Sequence, residues 1–174
     1  MRPRVWQPPI EPTPAEAAVM QRIKRAKLFV FLRKHRHEIF DEGFQEELGE
    51  IYGDSRLGQP PVPPAKLALV TIVQAYTGAS DEEAIEAMIM DRRWQLVLGC
   101  LDTEEPPFSK STLVAFRKRP IEKEMDRRLL ERTVEVAARR RSFSGTRRLG
   151  RRWTPRPCGV RAGWKTPTTS WDTL

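Results

Sequence analysis

Apolar residues recur along the first 138 positions at spacings of three and four, and no stretch there alternates apolar with polar residues long enough to mark a strand. Thr13-Pro14-Ala15-Glu16 has the form of a capping box with proline at the first helical position, so a helix is predicted to start at Thr13. Val19, Ile23, Leu28, Val30, Phe31 and Leu32 carry it on, with or without a break, to about His37. Phe40, Phe44, Leu48 and Ile51 then form one stripe along a helix predicted over Asp41–Tyr52.

Residues 53–63 (GDSRLGQPPVP) are a loop by composition, after which Pro64 opens an apolar helix over Ala65–Thr77 that Gly78 closes as a left-handed cap. A second capping box at Ser80-Asp81-Glu82-Glu83 starts a helix with Ala84, Ile85, Met88 and Ile89 inward. A short helix, Asp91–Leu98, ends at Gly99. Past the loop Leu101–Phe108, Ser111 is predicted to cap Thr112–Arg119, with Leu113 and Phe116 inward and Pro120 as the breaker. A last helix, Ile121–Ala138, is predicted to bury Met125, Leu129, Leu130, Val134 and Ala137. The fold class is therefore all-α: a compact multi-helix domain over 13–138 with helix-turn-helix-like pairs, preceded by a flexible Pro-rich stretch over 1–12.

After Ala138 the pattern stops. Residues 139–174 show no apolar period and repeat Gly, Pro, Thr and Arg, a composition that fits a disordered basic tail. Charge sharpens this break. The net charge of +8 points toward nucleic acid. Yet 139–174 hold ten basic residues and one acid, which leaves 21 basic and 22 acidic residues over 1–138. The whole basic excess sits in the tail.

The longest apolar run, LALVTIV at 67–73, is core-length, and the Pro-rich N-terminus lacks a signal-like segment, so a soluble cytoplasmic protein without membrane spans is expected. Cys100 and Cys158 stand far apart without a CxxC neighbour, which argues against a zinc site or a disulfide framework. His35 and His37 point apart on a helix, and Asp102, Glu104 and Glu105 read as a solvated loop; neither set is expected to hold a metal. No phosphate loop, nucleophile elbow or HExxH occurs, so catalysis has no visible seat.

Three segments are candidates for contact with DNA. In the pair formed by 64–77 and 80–90, Asp81, Glu82, Glu83 and Glu86 would turn carboxylates toward phosphates, which favours a scaffold role. The segment Lys110 to Arg119 is better suited: Ser111 and Thr112 stand at a helix N-terminus, and Lys110, Arg117, Lys118 and Arg119 add positive charge. Its alternative is a solvated basic face packed by Leu113 and Phe116. A third cluster, Arg22, Lys24, Arg25, Lys27, Arg33, Lys34 and Arg36, reads as the charged outer face of an amphipathic helix.

The opening MRPRVWQP, the block LGQPPVPPAKLALVTIVQAYTGASDEEAIEA, the segment RRWQLVLG, and FSKSTLVAFRKR leading to RRLLERTVEVA occur in one order over most of 1–138. In that order and spacing they resemble the N-terminal helical domain of bacterial DDE-class insertion-sequence transposases. The resemblance implies a module that engages the ends of the element, with an RNase H-like domain following it. That following domain would hold divalent metal, such as magnesium, for in-line attack on phosphodiesters. For the helical stretch itself it implies no cofactor. The implied partners are insertion-sequence DNA and either full-length transposase or a second copy.

Past the equivalent of RTVEVA, such chains continue toward a stretch resembling LDSSPLWGAGRVEDTYNLLGHA. A coding sequence for that string beginning CTG GAC TCC TCG CCC TTG, read one nucleotide later as TGG ACT CCT CGC CCT TGT, gives WTPRPC. Continued in the same way, the second frame reproduces Trp153 to Leu174 without exception. The expectation is a frameshift between about Val136 and Trp153 that truncates the chain before its catalytic domain. The arginines of the tail would then be a by-product of the frame.

Overall fold

In a computed structural model of the chain the described residues are 3–53, 61–122 and 125–140, with only the backbone described for 120–122 and 126. Among them there are eight helices and no strand: α1 (Pro14–Arg22), α2 (Lys27–Ile39), α3 (Glu42–Gly49), α4 (Pro64–Thr77), α5 (Asp81–Met90), α6 (Arg92–Leu98), α7 (Lys110–Glu122) and α8 (Met125–Arg139). All belong to one unit, and the basic tail expected from residue 139 lies, from 141 onward, outside the described residues.

The predicted signals act locally as physics requires. Thr13 caps α1 and Ser80 caps α5, each in a complete capping box, and Asp41 caps α3. Gly78 (φ 74°) and Gly99 (φ 69°) close α4 and α6 in the left-handed region, where a side chain would be strained. Ser80→Ala is expected to cost about 1 kcal/mol in a urea titration; an unchanged midpoint would mean that the box is not holding α5.

The helical stretch expected from Thr13 to His37, with or without a break, is two helices broken at residues 23–26. Pro120 does not end α7, whose backbone stays helical to Glu122. Proline's fixed φ is compatible with helix, so the lost N–H bond and the crowding of the carbonyl one turn earlier do not stop the two residues after it from staying helical.

Helix α4 is apolar nearly all round and is buried accordingly, from Pro64 and Ala65 through Leu67–Val70 to Ile72–Gln74. It packs on α3, α6 and α7, while α2 packs on α6 and α8. On α5, Ala84 and Met88 are fully buried, Ile85 and Ile89 partly. Gln74 holds the α4–α5 turn, donating from Nε2 to the carbonyls of Ala79 (3.4 Å) and Ser80 (3.2 Å) and to Asp81 (3.0 Å).

The predicted inner face of α8 is corrected. Leu129, Thr133 and Val136 are buried, whereas Leu130 is 55% and Val134 66% exposed. Arg132 explains the rotation. It faces α2, donating to the Glu38 carbonyl (3.3 Å) and pairing with Asp41, and so brings the 129/133/136 stripe inward. Thr133 tolerates burial because its hydroxyl donates to the Leu129 carbonyl at 2.9 Å.

A second correction concerns the basic cluster around α2. Arg33 and Arg36 are each 1% exposed, among the most buried side chains of the domain. Arg33 makes a two-pronged contact with buried Glu16, Nε to Oε1 and Nη2 to Oε2, both at 2.7 Å. It also donates to the carbonyls of Glu11 (3.0 Å) and Ile10 (3.3 Å). Arg36 donates from Nη1 to the Val97 (2.7 Å) and Leu96 (3.3 Å) carbonyls at the C-terminus of α6, where the helix dipole favours a cation.

The N-terminal stretch expected to be flexible has neither helix nor strand but is fastened at several points. Besides the two carbonyls held by Arg33, Trp6 exchanges two hydrogen bonds with Gln45, N–H to Oε1 at 2.7 Å and Nε2 to the Trp6 carbonyl at 2.9 Å. The Trp6 ring covers Arg36, whose guanidinium carbon lies 5.2 Å from the ring centroid.

Candidate nucleic-acid interface

The segment Lys110 to Arg119 lies on α7, and the structure separates its six candidate residues by environment. The helix starts at Lys110, two residues earlier than predicted. The Ser109 carbonyl accepts from the N–H groups of Thr112 (3.1 Å) and Leu113 (3.3 Å), so Ser109 takes the flanking position expected of Ser111. The Ser109 hydroxyl sits 2.9 Å from that of Ser111 and 3.0 Å from that of Thr112, tying all three hydroxyls together.

The cations divide in two. Lys110 pairs with Glu82 and Arg117 with Asp81, both acids in the first turn of α5, so that half of the α7 charge is met within the protein. The Lys110 contact contributes to holding the Glu82 carboxyl below its usual range. Arg119 lies over the Tyr52 ring, 4.6 Å from its centroid. Lys118 is exposed and without an ion-pair partner among the described residues. The acids of α5, which the sequence set against contact with phosphates, include two that pair with α7 cations, Glu82 with Lys110 and Asp81 with Arg117.

Among the described residues no group of three or more His, Cys, Asp or Glu could hold a metal ion. Asp102 pairs with Arg92 at 2.8 Å. His35 and His37 both approach Glu38, at 2.8 and 3.7 Å. Cys100 is half-buried, and burial raises its thiol pKa, which opposes thiolate reactivity. No helix among the described residues is long and apolar enough to cross a membrane.

The described residues thus form an all-helical unit around a buried apolar α4, with a basic α7 paired in part to acids of α5. A family model described as transposase domain (DUF772) matches residues 18–119, more than half of the chain, and the protein belongs to that family. No match was found among curated proteins or solved structures.

Proposed function

We propose that this transposase domain binds DNA at the ends of an insertion sequence and presents them to a catalytic module for cutting. Family membership over α1–α7 carries the reading. Exposed Lys118, beside Arg119 on the final turns of α7, supplies one surface suited to phosphate. A gel shift of the full chain at moderate salt is expected to show at least roughly tenfold preference for terminal inverted repeats over a scrambled duplex. Equal affinity for both would sink the reading. Lys118→Gln is expected to weaken both duplexes alike and to lower the salt slope by about one, as for a single phosphate contact.

Exposed Leu130 and Val134, one turn apart on α8, favour a second reading, in which the domain pairs with a full-length transposase or with itself. Nuclease-resistant co-purification with intact transposase, lost on Leu130→Glu, would support it; co-purification that depends on DNA would count against it. In either reading the metal-dependent step belongs to the catalytic module. The match of 153–174 to a second frame supports its being encoded one frame away. Reading the downstream nucleotides is the test, and the absence of a transposase-like sequence there would refute the frameshift.

A further inference from the structure

A further positive surface of the described residues lies away from α7. It is a cleft of about 360 Å³ where the α1–α2 turn meets the start of α6, lined by Arg22, Lys24, Arg25, Arg92 and Arg93 over a floor that includes Val19, Ile23 and Ala26. Arg22, Lys24 and Arg25 are exposed and have no ion-pair partner among the described residues. The two α6 arginines are already aimed. Arg92 is held by Asp102 at 2.8 Å, and Arg93 by Asp91 while its guanidinium lies 5.4 Å from the Phe29 ring centroid. Counting both acids against the five cations, the cleft keeps an excess of three positive charges.

The backbone adds to this charge. Ala26, in the floor of the cleft, is the residue that caps α2; it offers no side-chain hydrogen bond, and the first turn of α2 carries no acid. Helices α1 and α5 are closed by capping boxes with acids in their first turns, whereas α4, like α2, starts without a side-chain cap or a first-turn acid. The N–H groups of Lys27 and Phe29 are taken by the carbonyls of Arg25 and Ala26, but the positive end of a 13-residue helix still lies beside five cationic side chains. On α7, by comparison, two of four cations are consumed by α5.

From this geometry we propose that the α1–α2/α6 cleft is where the domain grips the phosphate backbone of duplex DNA, with α7 contributing a lesser contact. The proposal rests on the DNA-binding reading above. Phosphodiester oxygens would meet Lys24 and Arg25 at the mouth, with Arg92 and Arg93 held in place behind them. Contacts of this kind position the duplex without reading its sequence.

The test uses the full chain and a fluorescein-labelled duplex, with anisotropy read from low to moderate salt. Lys24→Gln/Arg25→Gln removes two exposed charges from the cleft; Lys34→Gln/Arg127→Gln removes two exposed charges elsewhere and controls for net charge. The cleft variant is expected to bind about tenfold more weakly and to lower the salt slope by about two, the control by much less. Circular dichroism of both variants should match the parent, since all four residues are at the surface. If both variants weaken binding equally, the effect is bulk charge and the cleft assignment is overturned while DNA binding stands. If the parent chain binds no duplex, the functional reading fails and the cleft assignment fails with it.

Discussion

Replacing Arg33 by methionine is expected to remove about 3–5 kcal/mol of stability, a large part of what a domain this size possesses. The loss comes less from the attraction between Arg33 and Glu16 than from what the substitution leaves behind. Glu16 is only 5% exposed and would keep its charge inside with just the Thr13 N–H and the more distant Arg36 (4.0 Å) to meet it, and the carbonyls of Ile10 and Glu11 would lose their Arg33 donors. Urea unfolding followed by circular dichroism measures it. The paired replacement Glu16→Leu/Arg33→Met should recover much of the loss, since an apolar pair of similar volume asks for no counter-charge. A single variant as stable as the parent would show that the pair is not a fastening.

The same carboxylate gives a pH signature. Burial pushes the Glu16 pKa up, but the Arg33 hydrogen bond, the Thr13 N–H and the charges of Arg33 and Arg36 together hold it below 4.5. A carboxyl depressed on folding contributes its full stability above the unfolded value and loses it as pH falls through the folded one. Stability should therefore fall on acidification below about pH 4.5, and Glu16→Gln should flatten that slope. It should not abolish it, because Glu38 is also depressed, through His35 and Arg140.

Gly99→Ala is expected to cost about 2–3 kcal/mol and Gly78→Ala only about 1 kcal/mol, although the two glycines share a backbone conformation. A methyl group on Gly78 would meet nothing within 4 Å, so it suffers only left-handed strain. At Gly99 it would lie 3.1 Å from Nη1 and 3.3 Å from Nη2 of Arg36. That guanidinium cannot easily retreat, being held by the Val97 and Leu96 carbonyls and roofed by Trp6. Thermal melts of the two variants side by side decide the matter: equal losses would show that Arg36 gives way freely.

What the sequence revealed depended on how local each cause is. Caps are local, so Thr13, Ser80, Gly78 and Gly99 were readable, and the unbroken apolar content of α4 announced its burial. Arg33 and Arg36 were misplaced because residue type outweighed period. Their spacing from Phe29, Leu32 and Ile39 puts them on the buried stripe of α2, but only the distant partners Glu16, Leu96 and Val97 make that burial tolerable. The α8 face was misread for a similar reason: Arg132 fixes the rotation through α2 residues more than ninety positions away. Of the candidate interface, the basic content of α7 was legible, but not its pairing with α5. Arg92 and Arg93 went unnoticed because they join Arg22, Lys24 and Arg25 only when the chain folds.

Helix α6 has only seven residues, too few to be stable alone. Its last carbonyls are gripped by Arg36, Arg36 is roofed by Trp6, and its first two residues are the arginines that back the cleft. The Pro-rich opening of the chain therefore works as a latch on a short helix. Trimming it would leave every cation of the cleft in the sequence and yet release their rigid backing, so that, if the cleft grips phosphate as proposed, the first sign of an unlatched N-terminus would be a faster departure from DNA.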